Sequence, residues 1–167
     1  LYFLIGQIAV YEITHLNNIL LQLVKFDKKQ DKIILSTHST ELKKLGWPYH
    51  RGNLPSAYLT GFLFGKKLFK NKTSEVVIDF GIYSPIKKSR SYAALKGLID
   101  AGVKTNHSNE EIFPEESKIH GLHISQYFKG IESSNINQFS NYKKKNLDMS
   151  NIEVVIKEIK NQISKES

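Results

Sequence analysis

Asp79 closes an apolar run, VVIDFGIYS (76–84), and Gly81 follows two residues later. A carboxylate at a strand end can hold a divalent metal, and a neighbouring glycine lets backbone approach a phosphate. Metal-assisted hydrolysis needs further carboxylates converging on the same ion. The other acids, such as Glu41 and Asp100, form no second motif. The plainer reading is an aspartate that caps a neighbour and a glycine that permits a turn. HGLH (120–123) sets two histidines three apart, with His107 as a possible third zinc ligand. Zinc sites on helices more often use i, i+4 spacing plus an acid. His120 is therefore read as an exposed phosphate contact and His123 as half-buried. GFLFGKK (61–67) falls short of a phosphate loop, with three residues between its glycines where four are needed and no Ser or Thr after the lysine. Close helix packing at Gly61 and Gly65, with Lys66 and Lys67 at the solvent edge, accounts for it better. STHST (36–40) lacks a nucleophile elbow and reads as a strand-to-helix cap.

IKKSR (86–90) offers a different chemistry. Lys87, Lys88 and Arg90 precede a helix whose free N–H groups and positive dipole end already favour an anion, and Ser89 can cap or donate to phosphate. Arg51, with Asn53, stands likewise before a second helix, and these are the chain's only two arginines. A planar fork suits phosphate where lysine serves less well. Lys96, His107 and His120 join Lys66 and Lys67 as weaker candidates. Trp47 and Tyr49 could stack on an unpaired base, although Trp47 fits a core equally well. The run Lys143, Lys144, Lys145 beside Tyr142 reads as a solvated loop.

Several elements must position these groups. QIAVYEIT (7–14) alternates and is β-branched, ILLQLVKF (19–26) and KIILSTH (32–38) read as second and third strands, and the short spacings and polar turns between them predict an antiparallel meander. STELKKLGW (39–47) reads as a short capped helix stopped by Gly46. Residues 52–70 predict a helix with Pro55 in its first turn and Tyr58, Leu59, Phe62, Leu63 and Phe69 at helical spacing. Residues 74–84 predict a buried central strand. Residues 91–101 predict a helix with Tyr92, Leu95, Leu98 and Ile99 on one face and Gly102 as its stop. A further helix is expected from Pro114 to about Ile131, with Glu115 and Glu116 in its first turn. After an Asn-, Ser- and Lys-rich connector (132–149), Ser150 and Glu153 form a capping box. Ile152, Val155, Ile156, Ile159 and Ile163 then line one face of a last helix that docks on the body or on a partner. The order implies an α/β fold, a mixed β-sheet with helices packed on it. Residues 1–131 are read as the main domain and 132–167 as a C-terminal helical extension.

The 167 residues suit one core of ordinary composition, 40% hydrophobic and 24% charged. The net charge of +8 is not ordinary and favours a polyanionic partner, nucleic acid or an acidic membrane surface. With no cysteine, disulfides and thiolate metal sites are excluded. LYFLIGQIAVY lacks the basic start of a signal peptide and is not read as one, and no run approaches a membrane span.

Four stretches in register, GNLPSAYLTGFLFGKK, VVIDFGIYSP, SRSYAALKGLIDAGVKTNH and FPEESKIHGLHISQY, resemble the ribosomal L-eighteen family of the large subunit in its archaeal form. The chain is also similar to the eukaryotic L-five protein without its long insertions. The likeness spans roughly 8–164. It implies an RNase H-like sheet without nuclease activity and without cofactor or metal. It implies binding to 5S rRNA at the central protuberance, with 23S rRNA and neighbouring large-subunit proteins, including the L-five family, as further partners and no membrane. On that view Arg51, Asn53, Lys87, Lys88, Ser89 and Arg90 hold RNA backbone. The alternative is an RNase H-like metal-dependent nuclease or phosphohydrolase centred on Asp79. The family's arginine-rich N-terminal arm is not matched: Glu12 and Ile13 stand where basic residues are usual. The arm is then either lost, or the chain is a fragment.

Overall fold

The computed structural model describes residues 8–14, 17–27, 29–81, 84–107, 109–131, 142 and 147–165, with residues 8–14 and 131 given by backbone alone. Strands β1 (Ile8–Thr14), β2 (Ile19–Lys25) and β3 (Lys32–His38) form the expected antiparallel meander. Strand β4 (Glu75–Asp79) lies parallel to β1, and the two-residue β5 (Lys104–Thr105) lies parallel to β4. The sheet order is β3-β2-β1-β4-β5. Alternate residues of β2, Ile19, Leu21 and Leu23, are buried in one cluster with Ala57, Phe64, Leu68, Ala94 and Leu98, so α1 (Leu54–Lys70) and α2 (Arg90–Asp100) cover one face of the sheet.

Helix α1 is central. Eleven of its 17 residues are buried, because it faces the sheet on one side and a second apolar cluster on the other. The second cluster takes Tyr58, Leu59 and Phe62 from α1, Trp47 and Tyr49 from the preceding loop, and four isoleucines from the last helix, α5 (Ile152–Lys165). Ile152, Ile156, Ile159 and Ile163 are all buried and Val155 packs beside them, so this stripe docks on the body. Phe69, by contrast, is 41% exposed.

Helices α1 and α2 cross in near-direct backbone contact. A Cβ on Gly61 would lie 1.9 Å from the Ala94 carbonyl oxygen, and one on Gly97 would lie 2.1 Å from that of Tyr58. Gly65 meets Ala101 and Leu98 in the same way. The glycines of GFLFG are thus packing residues, as expected.

Several elements differ from expectation. The strand proposed for 74–84 ends at Asp79, whose carboxylate turns back to accept the Gly81 N–H at 2.7 Å. The buried residues of α2 are Ala93, Ala94, Leu95, Gly97 and Leu98, while Tyr92 and Ile99 are only half-buried: the close crossing selects the small side chains. The expected helix from 114 to 131 is two helices, α3 (Glu116–Ile119) and α4 (Leu122–Ile131). Gly121 breaks it at φ +76°, and a Cβ there would meet the Ile152 side chain at 3.1 Å, so the break also admits α5. The segment after β3 is a 3-10 turn, Ser39–Lys43. It is capped by the His38 ring, which accepts the Thr40 N–H, and by Glu41, which accepts the His38 N–H at 3.0 Å. The Asn151 carbonyl accepts the first i→i+4 bond of α5, from Val155, so the N-cap falls on Asn151 rather than Ser150.

Candidate nucleic-acid interface

The two basic helix starts meet in space. Asn53 caps α1, its side chain accepting the Ser56 N–H at 3.0 Å, and Pro55 sits in the first turn where its missing N–H costs nothing. Arg90, first residue of α2, sends Nη1 to the Gly52 carbonyl at 3.0 Å. Arg51 Nε donates to Asn18 Oδ1 at 3.0 Å, joining the same loop to the β1–β2 turn. Each guanidinium is anchored by a hydrogen bond, which fixes the position of a planar cation at each helix start. Both helix N-termini add partial positive charge here.

The loop before α2 is also fixed. Lys88 has φ +62°, a conformation costing a non-glycine residue on the order of 1 kcal/mol. Its N–H is held by the Ile112 carbonyl at 2.8 Å, and the Ser89 N–H by that of Ile86. Lys88 Nζ lies 3.9 Å from Glu115, both side chains more than half exposed, so the pair is solvent-screened. Lys87 is exposed. Ser89 occupies the N-cap position of α2 but makes no capping bond, and its shielded hydroxyl has no hydrogen-bond partner among the described residues.

The remaining candidates lie elsewhere. Lys66 and Lys67 are toward the other end of α1, about 18 Å along the axis from its first residue, Leu54. Lys67 is 2.6 Å from Glu41, and Lys66 lies over the Phe62 ring. Lys96 pairs with Asp100 at 3.2 Å and lies over Phe113. His107 is exposed and packs edge-on against Phe113. The two helical histidines exchange their expected places: His120 is half-buried against Tyr58, and His123 is exposed. Desolvation, followed by Lys118 nearby, lowers the His123 pKa, so its ring is neutral at pH 7. Trp47 and Tyr49 are buried, 2% and 6% exposed, and neither ring is open to a base. Lys143, Lys144 and Lys145 lie outside the described residues. Among the described residues no three His, Asp or Glu gather to hold a metal.

Nothing near Arg51 in the sequence signals what braces its loop. The Tyr142 hydroxyl accepts the His50 N–H at 3.1 Å, and the Tyr49 hydroxyl donates to the Asp148 carbonyl at 2.7 Å. The His50 ring meets Asn17 and the Gly52 N–H. Tyr142 and Asp148 thereby steady a loop 92 and 99 positions earlier. Beside it lies a cavity of about 460 Å³ whose lining includes His50, His123, Ile124, Tyr127 and Tyr142. Burial raises the Tyr49 and Tyr142 pKa values, so both phenols stay protonated.

A second polar chain locks the helices. The Tyr58 hydroxyl donates to Asp100 at 2.8 Å and accepts from Lys160 Nζ at 2.6 Å, linking α1, α2 and α5. Burial and the Asp100 carboxylate push the Tyr58 pKa well above the usual phenol range.

No family model matches the sequence. A curated protein does: the large ribosomal subunit protein uL18 of Methanococcus maripaludis is 37% identical over 151 residues, 89% of this chain and 78% of that protein. The chain belongs to the uL18 family. As a member of that family it is a structural constituent of the large ribosomal subunit. No helix among the described residues is long and apolar enough to cross a membrane. Asp79, the centre of the rival enzymatic reading, accepts the Gly81 N–H on one carboxylate oxygen.

Proposed function

We propose that this uL18 protein binds 5S rRNA and helps fasten it to the central protuberance, with 23S rRNA and neighbouring subunit proteins, including the L-five family, as further contacts. The observation that carries the reading is the hydrogen bond from Arg90 to the Gly52 carbonyl, which joins two basic helix starts into one surface. Arg51, Lys87, Lys88 and Arg90 contact phosphates there, and Asn53 and Ser89 set the helix ends. Such contacts read A-form backbone and shape rather than sequence. Lys66, Lys67, Lys96, His107 and His120 are secondary contacts at most, since Lys67 and Lys96 already serve carboxylates and His120 faces Tyr58. The strand order, with β2 antiparallel to the rest, supports an RNase H-like sheet.

A gel-shift titration with homologous 5S rRNA at two salt concentrations, against tRNA competitor, tests this. Binding should be salt-steep and survive tRNA. The double variant Lys87→Ala, Lys88→Asn should lower the log–log salt slope by about 1.4–1.8, at ~0.7–0.9 per phosphate contact. Asparagine is chosen because it tolerates the left-handed conformation at position 88. An unchanged slope places the RNA on another face.

A further inference from the structure

We propose that the cavity beside the Arg51 loop receives one unstacked nucleobase of the bound RNA. This rests on the RNA-binding reading and adds to it a site for a base, where the helix starts recognise only phosphate.

Three observations carry it. The lining is suited to a flat, partly polar ring: Ile124 and the buried Met149 supply apolar wall, and His50, His123, Tyr127 and Tyr142 supply ring faces and edges. Tyr127 is 49% exposed, unlike the buried Trp47 and Tyr49, so its ring reaches solvent at the mouth. Unpaired RNA bases are recognised by such aromatic stacking. The cavity, at about 460 Å³, falls within the range of small-molecule sites.

Position is the second observation. Asn53, the cap of α1, is itself a lining residue, and Arg51 lies between His50 and Asn53 in the same loop. A nucleotide with its base in the cavity would have its phosphate near the Arg51 and Arg90 guanidinia. Among the described residues no lining side chain is a carboxylate that would repel that phosphate.

The third is preorganisation. Tyr142 holds the His50 backbone, and Ser125 reaches the Ser150 carbonyl at 3.4 Å, so α4, the Arg51 loop and the start of α5 are joined around the cavity before RNA arrives. The His123 ring and the half-buried Tyr142 phenol of the lining are uncharged at neutral pH, which favours stacking over simple ion pairing. An apolar side chain of another subunit protein is the competing occupant. The adjoining cations favour a nucleotide.

The test compares wild type, Tyr127→Ala, Tyr127→Phe and Lys87→Ala/Lys88→Asn on homologous 5S rRNA and on a perfect RNA duplex, with chemical probing of unpaired bases. Tyr127→Ala should weaken 5S binding roughly 5- to 140-fold, the range for loss of one base–aromatic stack, while leaving the salt slope unchanged. Tyr127→Phe should bind as wild type, and one unpaired nucleotide protected by wild type should become reactive with Tyr127→Ala. Duplex affinity should not change. If Tyr127→Ala binds 5S rRNA as wild type while the lysine variant loses slope, the base pocket is wrong and the phosphate surface stands. Equal loss on duplex, or a reduced slope, makes Tyr127 a backbone contact and also overturns the pocket. If Tyr127→Ala binds RNA normally but loses a neighbouring subunit protein, the occupant is protein. Failure of wild type to bind rRNA would overturn this inference and the reading beneath it.

Discussion

Replacing Gly97 by alanine tests the packing on which the RNA surface depends. In an isolated helix the change would stabilise by about 1 kcal/mol. Here the new methyl would stand 2.1 Å from the Tyr58 carbonyl oxygen and 2.8 Å from the Phe62 nitrogen. Both are backbone atoms, so no rotamer change relieves the overlap. The helices must part by about 1 Å, a gap that forfeits up to about half of each pairwise contact across it. Overpacking of a core typically costs ~1–3 kcal/mol, and a clash between backbones belongs at the upper end or beyond. After the propensity gain, a net loss of about 2 kcal/mol or more remains. At ~2–4 °C per kcal/mol for a chain of this size, the midpoint should fall by about 4–8 °C. Thermal unfolding followed by circular dichroism measures it. Gly130→Ala is the internal control: Gly130 lies in α4 with nothing within 4 Å of its added methyl, and it should be neutral or slightly stabilising. The same opening would draw Arg90 from Gly52, so Gly97→Ala should also weaken 5S binding. A Gly97→Ala protein as stable as wild type would refute the close crossing and the claim that it sets the spacing of the two arginines.

Two further outcomes are expected. Tyr58 keeps its proton when folded, while an unfolded tyrosine ionises near 10.0. The folded state then holds the extra proton, so stability falls as pH rises beyond that value. Urea unfolding should show this decline in wild type and a flatter one in Tyr58→Phe, which should also lose ~1–3 kcal/mol at pH 7 by parting Asp100 from Lys160. An equally steep decline in the variant would remove Tyr58 as its cause. Lys67→Ala should cost less than about 1 kcal/mol and leave the RNA salt slope unchanged, because Lys67 serves a partly exposed pair with Glu41. A slope reduced by about 0.7–0.9 in that variant would extend the RNA surface to the far end of α1.

The strands 19–25 and 32–38 were legible from short apolar runs between turn residues, and the helix 54–70 from its helical spacing, because these signals are local. The basic groups before α1 and α2 were legible for the same reason, since helix N-termini announce themselves through capping residues and Pro55. So was the stripe Ile152, Ile156, Ile159, Ile163, though not what it would cover. The break at Gly121 was missed because a lone glycine in a helical pattern does not announce a break, and the Ile152 side chain that packs against it lies 31 positions away. Trp47 and Tyr49 were candidates for base stacking until α5 and residue Asp148 buried them.

The sequence by itself determined the element types, the excess of positive charge, and the family through residues shared in register. Tertiary structure alone decided which cations act together. Arg51 and Arg90 are 39 positions apart, and nothing in either segment specifies that Arg90 should reach the Gly52 carbonyl. That contact exists because three glycines let α1 and α2 cross at backbone distance. Periodicity is a property of neighbouring residues, whereas the meeting of two helix ends depends on the volume of every side chain between them.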